Sequence, residues 1–247
     1  MDLAAALAAV VGDPEADEPR ERYARAISRS DPAHAEFIGC QLAAHAAYHR
    51  QEESSPDLQT AELIRRNHGD RLAGRISQFV SGYAFGRGFV ETIAVDAEWF
   101  LESGEDLYAM APVLHLNLVD VKLCLDDLFA SPLLDRIHSI SLLREELGDP
   151  EVAVIAASSH LGRLRWLDLG LNNVGPDGLE ALAASTGLPQ LQWLGLSVNP
   201  VADPTPRFAD EYDTTGQAAA DLMARHGPKD WLDARPRWKW PPYREYL

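Results

Sequence analysis

The chain has 247 residues, 46% of them hydrophobic and 24% charged, with a formal net charge of −16. That composition suits a globular protein with a sizeable core, removes disorder as the default reading, and includes no run near the roughly 18 apolar residues that a membrane span needs. The negative field opposes phosphate backbones and anionic membranes, because such binding depends on Lys and Arg displacing counterions, so neither nucleic acid nor membrane is an expected partner.

The same charge has two readings, a solubility device or a field that speeds encounter with a basic protein. Two distant cysteines, Cys40 and Cys124, form neither a disulfide framework nor a metal-ligand pair. They read as buried thiols in a reducing compartment, which makes the cytoplasm the expected location.

In chain order, Leu3 to Val11 reads as an amphipathic first helix rather than a signal sequence, since Asp2 stands where a basic segment belongs. Residues 1–76 carry three or four helices, separated at Asp13-Pro14, Asp31-Pro32 and Ser55-Pro56-Asp57. Within Ala35 to Leu42 and beyond, positions 37, 38, 41 to 42 and 45 to 46 approximate a helical stripe. His45 and His49 are spaced to share a metal, but Ala46 breaks the H-E-x-x-H pattern and surface histidines are the expectation. No metal is expected.

From about residue 88 short alternating stretches recur. Written as L-x-x-L-x-L, they are Val90, Ile93, Val95; Val113, Leu116, Leu118; Ile137, Ile140, Leu142; Leu164, Leu167, Leu169; and Leu191, Leu194, Leu196. Their middle members follow at intervals of 23, 24, 27 and 27 residues, inside the 20 to 29 of leucine-rich repeats. Asn172-Asn173 and Asn199 supply the asparagine after the last two strands, whereas Asp96 and Asp120 or Val121 occupy the early turns. The early copies are therefore either repeats or a differently shaped strand layer.

Helical stretches such as Glu151 to Ala157 and Gly178 to Ser185 complete strand, turn and helix units, which need neighbours and caps because a single unit cannot bury its own apolar face. The fold class expected is α/β. A helical cap spans 1–76, a short solenoid of about five repeats spans 77–202, and a C-terminal helical cap with an aromatic tail spans 203–247. In that last segment Thr214-Thr215-Gly216 precede a helix through His226, ended by Gly227-Pro228, and the Trp- and Pro-rich tail from Trp231 to Leu247 either folds back or binds a partner.

The front segments also resemble a known family. Gly12-Asp13-Pro14, Asp17-Glu18-Pro19-Arg20, Tyr23-Ala24, the run from Asp31 to Gln41, Leu63 to Gly69, and Gly86-Arg87-Gly88-Phe89-Val90-Glu91 look like bacterial leucine-rich-repeat proteins carrying an N-terminal repeat-companion domain. Where the family form has a tryptophan after Tyr-Ala, this chain has Arg25-Ala26-Ile27. The resemblance implies an all-helical companion domain capping a ribonuclease-inhibitor-like solenoid, with no defined activity and no catalytic residues.

Side chains between the apolar positions face the concave side, since alternate strand residues face opposite ways. They include His115, Asn117 and Val119; Ser139, Ser141 and Leu143; Trp166, Asp168 and Gly170; Trp193, Gly195 and Ser197. The expected partner-binding set is Trp166, Trp193, Asp168, His115, Asn117, Ser139 and Ser141, with the indoles side by side and either open to a partner or covered by Trp238, Trp240 and Tyr243 of the tail as a lid. The expected function is a protein- or peptide-binding module of accessory, regulatory or immunity type.

Two alternatives stand beside it: an unrecognised enzyme using His115, Ser139, Ser141 and Asp168, or a structural scaffold. No G-x-S-x-G elbow or phosphate-binding glycine loop is present, and no cofactor is expected.

Overall fold

The computed structural model describes residues 2–50, 56–201, 216–229 and Trp231. It is a mixed α/β protein whose six strands follow chain order within one sheet. No helix among the described residues is long and apolar enough to cross a membrane. Contact density divides the chain into two compact units: 2–93 with 105–114, and 94–104 with the described residues from 115 to 231.

The first unit contains α1 (Leu3–Gly12), α2 (Glu18–Ile27), α3 (Pro32–His49) and α4 (Pro56–Ala73), then β1 (Gly82–Gly86) and the start of β2 (Phe89–Asp96). Asp2 caps α1 by accepting from Ala4 N at 3.0 Å. Val10, Ile27, Ile38 and Phe89 form a core with Leu7, Tyr23 and Leu42 packed against it. On α3 the buried stripe is Phe37, Ile38, Ala44 and Ala47, while Ala46 is exposed, so the helix turns its apolar side one residue away from the expected 45 to 46.

Strand β1 is a feature the sequence reading lacked. Arg87 and Gly88, at φ +50° and +89°, join it to β2, meeting the requirement of a tight hairpin turn for two left-handed residues. A Cβ on Gly88 would fall 2.3 Å from Ile38 Cγ1 and 2.7 Å from Ile38 Cα, so only glycine fits this turn against α3.

The second unit repeats itself. Strands β3 (His115–Val119), β4 (Ser139–Ser141), β5 (Trp166–Asp168) and β6 (Trp193–Gly195) are parallel neighbours. After β2 comes α5 (Ala97–Met110); short α6 (Leu125–Phe129), α7 (Asp149–Ala157) and α8 (Pro176–Ala184) alternate with the parallel strands, and α9 (Gly216–His226) ends before left-handed Gly227. Helices α7 and α8 have matching boundaries: each carries proline in its first turn, and each stops at a serine of φ −61° and ψ 135°, Ser158 or Ser185. Those serines donate to the preceding segment, Ser158 to Phe129 O and Ser185 to Ala156 O, both at 2.5 Å.

The asparagines close the turns. Asn172 donates to the carbonyls of Leu142, Leu169 and Gly170 and accepts from the amides of Glu145 and Leu147. Asn199 donates to Leu169 O, Leu196 O and Ser197 O and accepts from Val174 N. Each links its own turn to the one before, satisfying backbone groups that the short strands leave without a ladder partner. Leu164, Leu167, Leu169, Leu191, Leu194 and Leu196 are buried beneath. Cys40 and Cys124 are half-buried free thiols rather than fully buried ones.

Candidate binding face

Strand register assembles the candidate residues into rows. His115, Ser139, Trp166 and Trp193 are successive partners across β3 to β6, so the two indoles stand on adjacent strands about 4.8 Å apart. Asn117, Ser141, Asp168 and Gly195 form the next row. Continuing the register by two residues puts Val119, Leu143, Gly170 and Ser197 in a third, where the site of a Gly170 Cβ lies 2.9 Å from both Leu143 Cδ1 and Ser197 Oγ.

Much of this face is closed, contrary to the expectation of open side chains. His115, Ser139 and Trp193 are only 6%, 7% and 7% exposed, and Asp168 is 0% exposed. The glycines explain part of the closure. With no side chain at Gly195, the Trp193 indole lies down along its own strand, with its Cζ3 and Cη2 atoms filling that space, and Asp168 Oδ1 borders the same gap. Asp168 turns inward to accept from Gly170 N at 3.0 Å. Beside them the His115 ring meets Trp166 at 6.3 Å and His138 at 6.4 Å between centroids.

Trp166, Asn117 and Ser141 remain partly accessible, whereas Val119 and Leu143 are 44% and 41% exposed. Accessible surface is thus shifted toward the C-terminal ends of the strands. Of the aromatic tail, Trp231 is buried, and Trp238, Trp240 and Tyr243, the proposed lid over the indoles, lie outside the described residues. Thr214 and Thr215, read as the cap of α9, also lie outside them.

The hydrolase-like set does not share a row. His115 neighbours Ser139, but Asp168 stands two strands from His115, about 10 Å across the sheet, and one row further along. In the first unit His45 and His49 bring their Nε2 atoms to 3.1 Å, with no third metal-capable side chain grouped with them among the described residues. Burial, with the nearby Arg87 and His49 charges, lowers His45 to about 4, leaving it neutral at physiological pH.

The quoted family-like segments meet one another in the first unit. His34 Nε2 donates to Gly88 O at 3.0 Å, and Gly88 N donates to Gln41 Oε1 at 2.6 Å. Glu91 is fully buried and takes hydrogen bonds from Arg20 (2.6 Å) and Arg87 (3.0 Å), which also reach the carbonyls of Pro14 and Glu15. Both guanidinium groups converge on Oε1 of Glu91, and charge-assisted contacts of this kind offset part of the cost of burying the carboxylate.

Sequence reasoning placed Val119 and Leu143 on the face without assigning them a role, and passed over Leu123 and Val198, 83% and 72% exposed. A signal existed: Asp120, Arg144, Leu171 and Val198 occupy equivalent turn positions, all left-handed at φ +56° to +66°. Leucine and valine are out of place where glycine or asparagine is preferred. No family model, no curated protein and no solved structure matches the chain.

Proposed function

We propose that the chain is a non-catalytic, cytoplasmic binding module: a short leucine-rich-repeat array with a helical companion domain, taking a protein or peptide partner on the strand side of its second unit. The observation that carries this reading is the strictly equivalent row His115, Ser139, Trp166 and Trp193 over turns linked by Asn172 and Asn199. Repeated short parallel strands with one face toward helices present their other face as a rigid platform, the arrangement that solenoids use for extended binding surfaces. Half-buried Trp166 supplies an aromatic anchor of the type enriched at hot spots, and Asn117 and Ser141 supply adaptable hydrogen bonding.

The net charge of −16 supports a basic partner over nucleic acid or an anionic membrane. The test is co-purification of tagged wild type and a Trp166→Ala/Asn117→Arg variant from source cells, after circular dichroism has established that both are folded. Loss of a specific co-purifying protein from the variant alone is the expected result. Identical partners for both forms overturn the strand-side assignment.

A further inference from the structure

We propose that the C-terminal ends of β3 to β6 form a docking edge for an extended, basic and aliphatic segment of a partner protein, seated across Val119, Leu143 and Val198 and drawn in by Asp120 and Glu146. The proposal rests on the binding-module reading and adds both the place and the chemistry of the partner.

Its geometry comes from the third row and the turn beyond it. Leu143, next to Val119 in the register, leans over Gly170 while Ser197 Oγ approaches the same glycine from the strand beyond, and the ladder continues past the regular strands through Arg144 N to Gly170 O (3.2 Å) and Leu171 N to Ser197 O (2.7 Å). Val119 and Leu143 therefore share one row, and exposed Val198 stands at the turn one residue past its end. Three strand spacings span about 14 Å, which four or five residues of extended chain cover.

Val198 is costly to the chain in two ways. It is a β-branched residue at φ +57°, where a glycine would remove about 1 to 2 kcal/mol of backbone strain, and its side chain is 72% exposed. Such a side chain gives the fold little in return, and its contact is placed outside the chain.

Charge selects the occupant. Asp120 and Glu146 are exposed at the turns after β3 and β4, Glu145 lies close to Asp120 and Asp96, and Asp127 is close to Cys124. Glu145 is pushed up by burial and then by the charges of Asp120 and Asp96, and the Cys124 thiol is pushed up by burial and then by Asp96, Glu98 and Asp127. Against these carboxylates stand Arg144 and Lys122, the latter donating to Glu146 O and lying 3.8 Å from Glu151. The surplus is negative, so a partner that brings aliphatic side chains together with Arg or Lys meets both features, and an acidic or purely polar one does not.

The probe is a fluorescein-labelled hexapeptide of alternating Arg and Leu, titrated into the full chain by fluorescence anisotropy beside Arg-Ser and Glu-Leu counterparts. Saturable binding of the Arg-Leu peptide is expected, at least tenfold tighter than either counterpart. It should weaken at least tenfold in Val119→Ser/Leu143→Ser and at least threefold in Asp120→Asn/Glu146→Gln, with unchanged circular dichroism and urea midpoints. A Val198→Gly variant should weaken binding while raising the urea midpoint, a pairing that damage to the fold cannot produce.

Equal binding of Arg-Ser peptide reduces the edge to non-specific charge attraction and overturns the proposal. So does undiminished binding by the Val119/Leu143 variant, or no saturable binding at all. Dimerisation in sedimentation abolished by the same substitutions would assign the edge to a second copy and also overturn it. The co-purification result with the Trp166 variant decides the binding-module reading independently.

Discussion

At Gly88 a single hydrogen atom decides how α3 meets the hairpin. Ile38 Cα lies 2.7 Å from where a Cβ would stand, and the φ of +89° strains any other residue. Gly88→Ala is expected to destabilise the protein by about 3 kcal/mol, the sum of left-handed strain and overpacking. Gly39→Ala on the same helix meets nothing within 4 Å and should be neutral or stabilising by about 0.5 to 1 kcal/mol. The urea midpoint should therefore fall in Gly88→Ala and stay level or rise in Gly39→Ala, and a comparable fall in both would refute this account of the clasp.

His34 and His45 make a pH prediction at the same scale. Burial is the largest cause that lowers both, His45 to about 4. Their unfolded forms, near 6.5, take up a proton before the folded ones do, so the stability they contribute is present above pH 6.5 and is lost as pH falls toward about 4. Urea midpoints measured between pH 7.5 and 4.5 should fall on acidification, and less steeply in His34→Gln/His45→Gln. A midpoint that is flat over this range would contradict the burial argument.

Among the elements, the turns after β4 and β5 depend on asparagine more than on strand length, since those strands hold three residues each. Asn172→Ala removes a 5%-exposed amide that satisfies three carbonyls and two amides, and should cost about 3 to 5 kcal/mol. Asn173→Ala, at an exposed side chain, should change stability by less than about 0.5 kcal/mol.

This ladder was legible, because a leucine spacing of 27 and an asparagine at a fixed offset encode register directly. Strand β1 was not. Its glycine-bounded run Gly82–Gly86 carries none of the leucine spacing that marks the later strands, and nothing local to Arg87 announces a left-handed turn against α3. Burial of the face was equally illegible: alternation says that Asp168 and Trp193 leave the leucine side, but not that vacant space at Gly195 lets an indole lie flat and that Asp168 turns back to Gly170 N.

At the scale of the whole chain, a charge of −16 would govern how fast the proposed basic partner arrives more than how tightly it stays. Association with a basic partner should slow as salt rises from 50 to 500 mM while dissociation changes little, a contrast that stopped-flow mixing resolves. The most direct test of strand-side binding is hydrogen exchange on the full chain, free and in the complex recovered on its tag from source cells. Protection on binding should concentrate in residues 115–120, 139–144, 166–171 and 193–198. Protection confined to α1–α4, or to the outward helices α7 and α8, would contradict it.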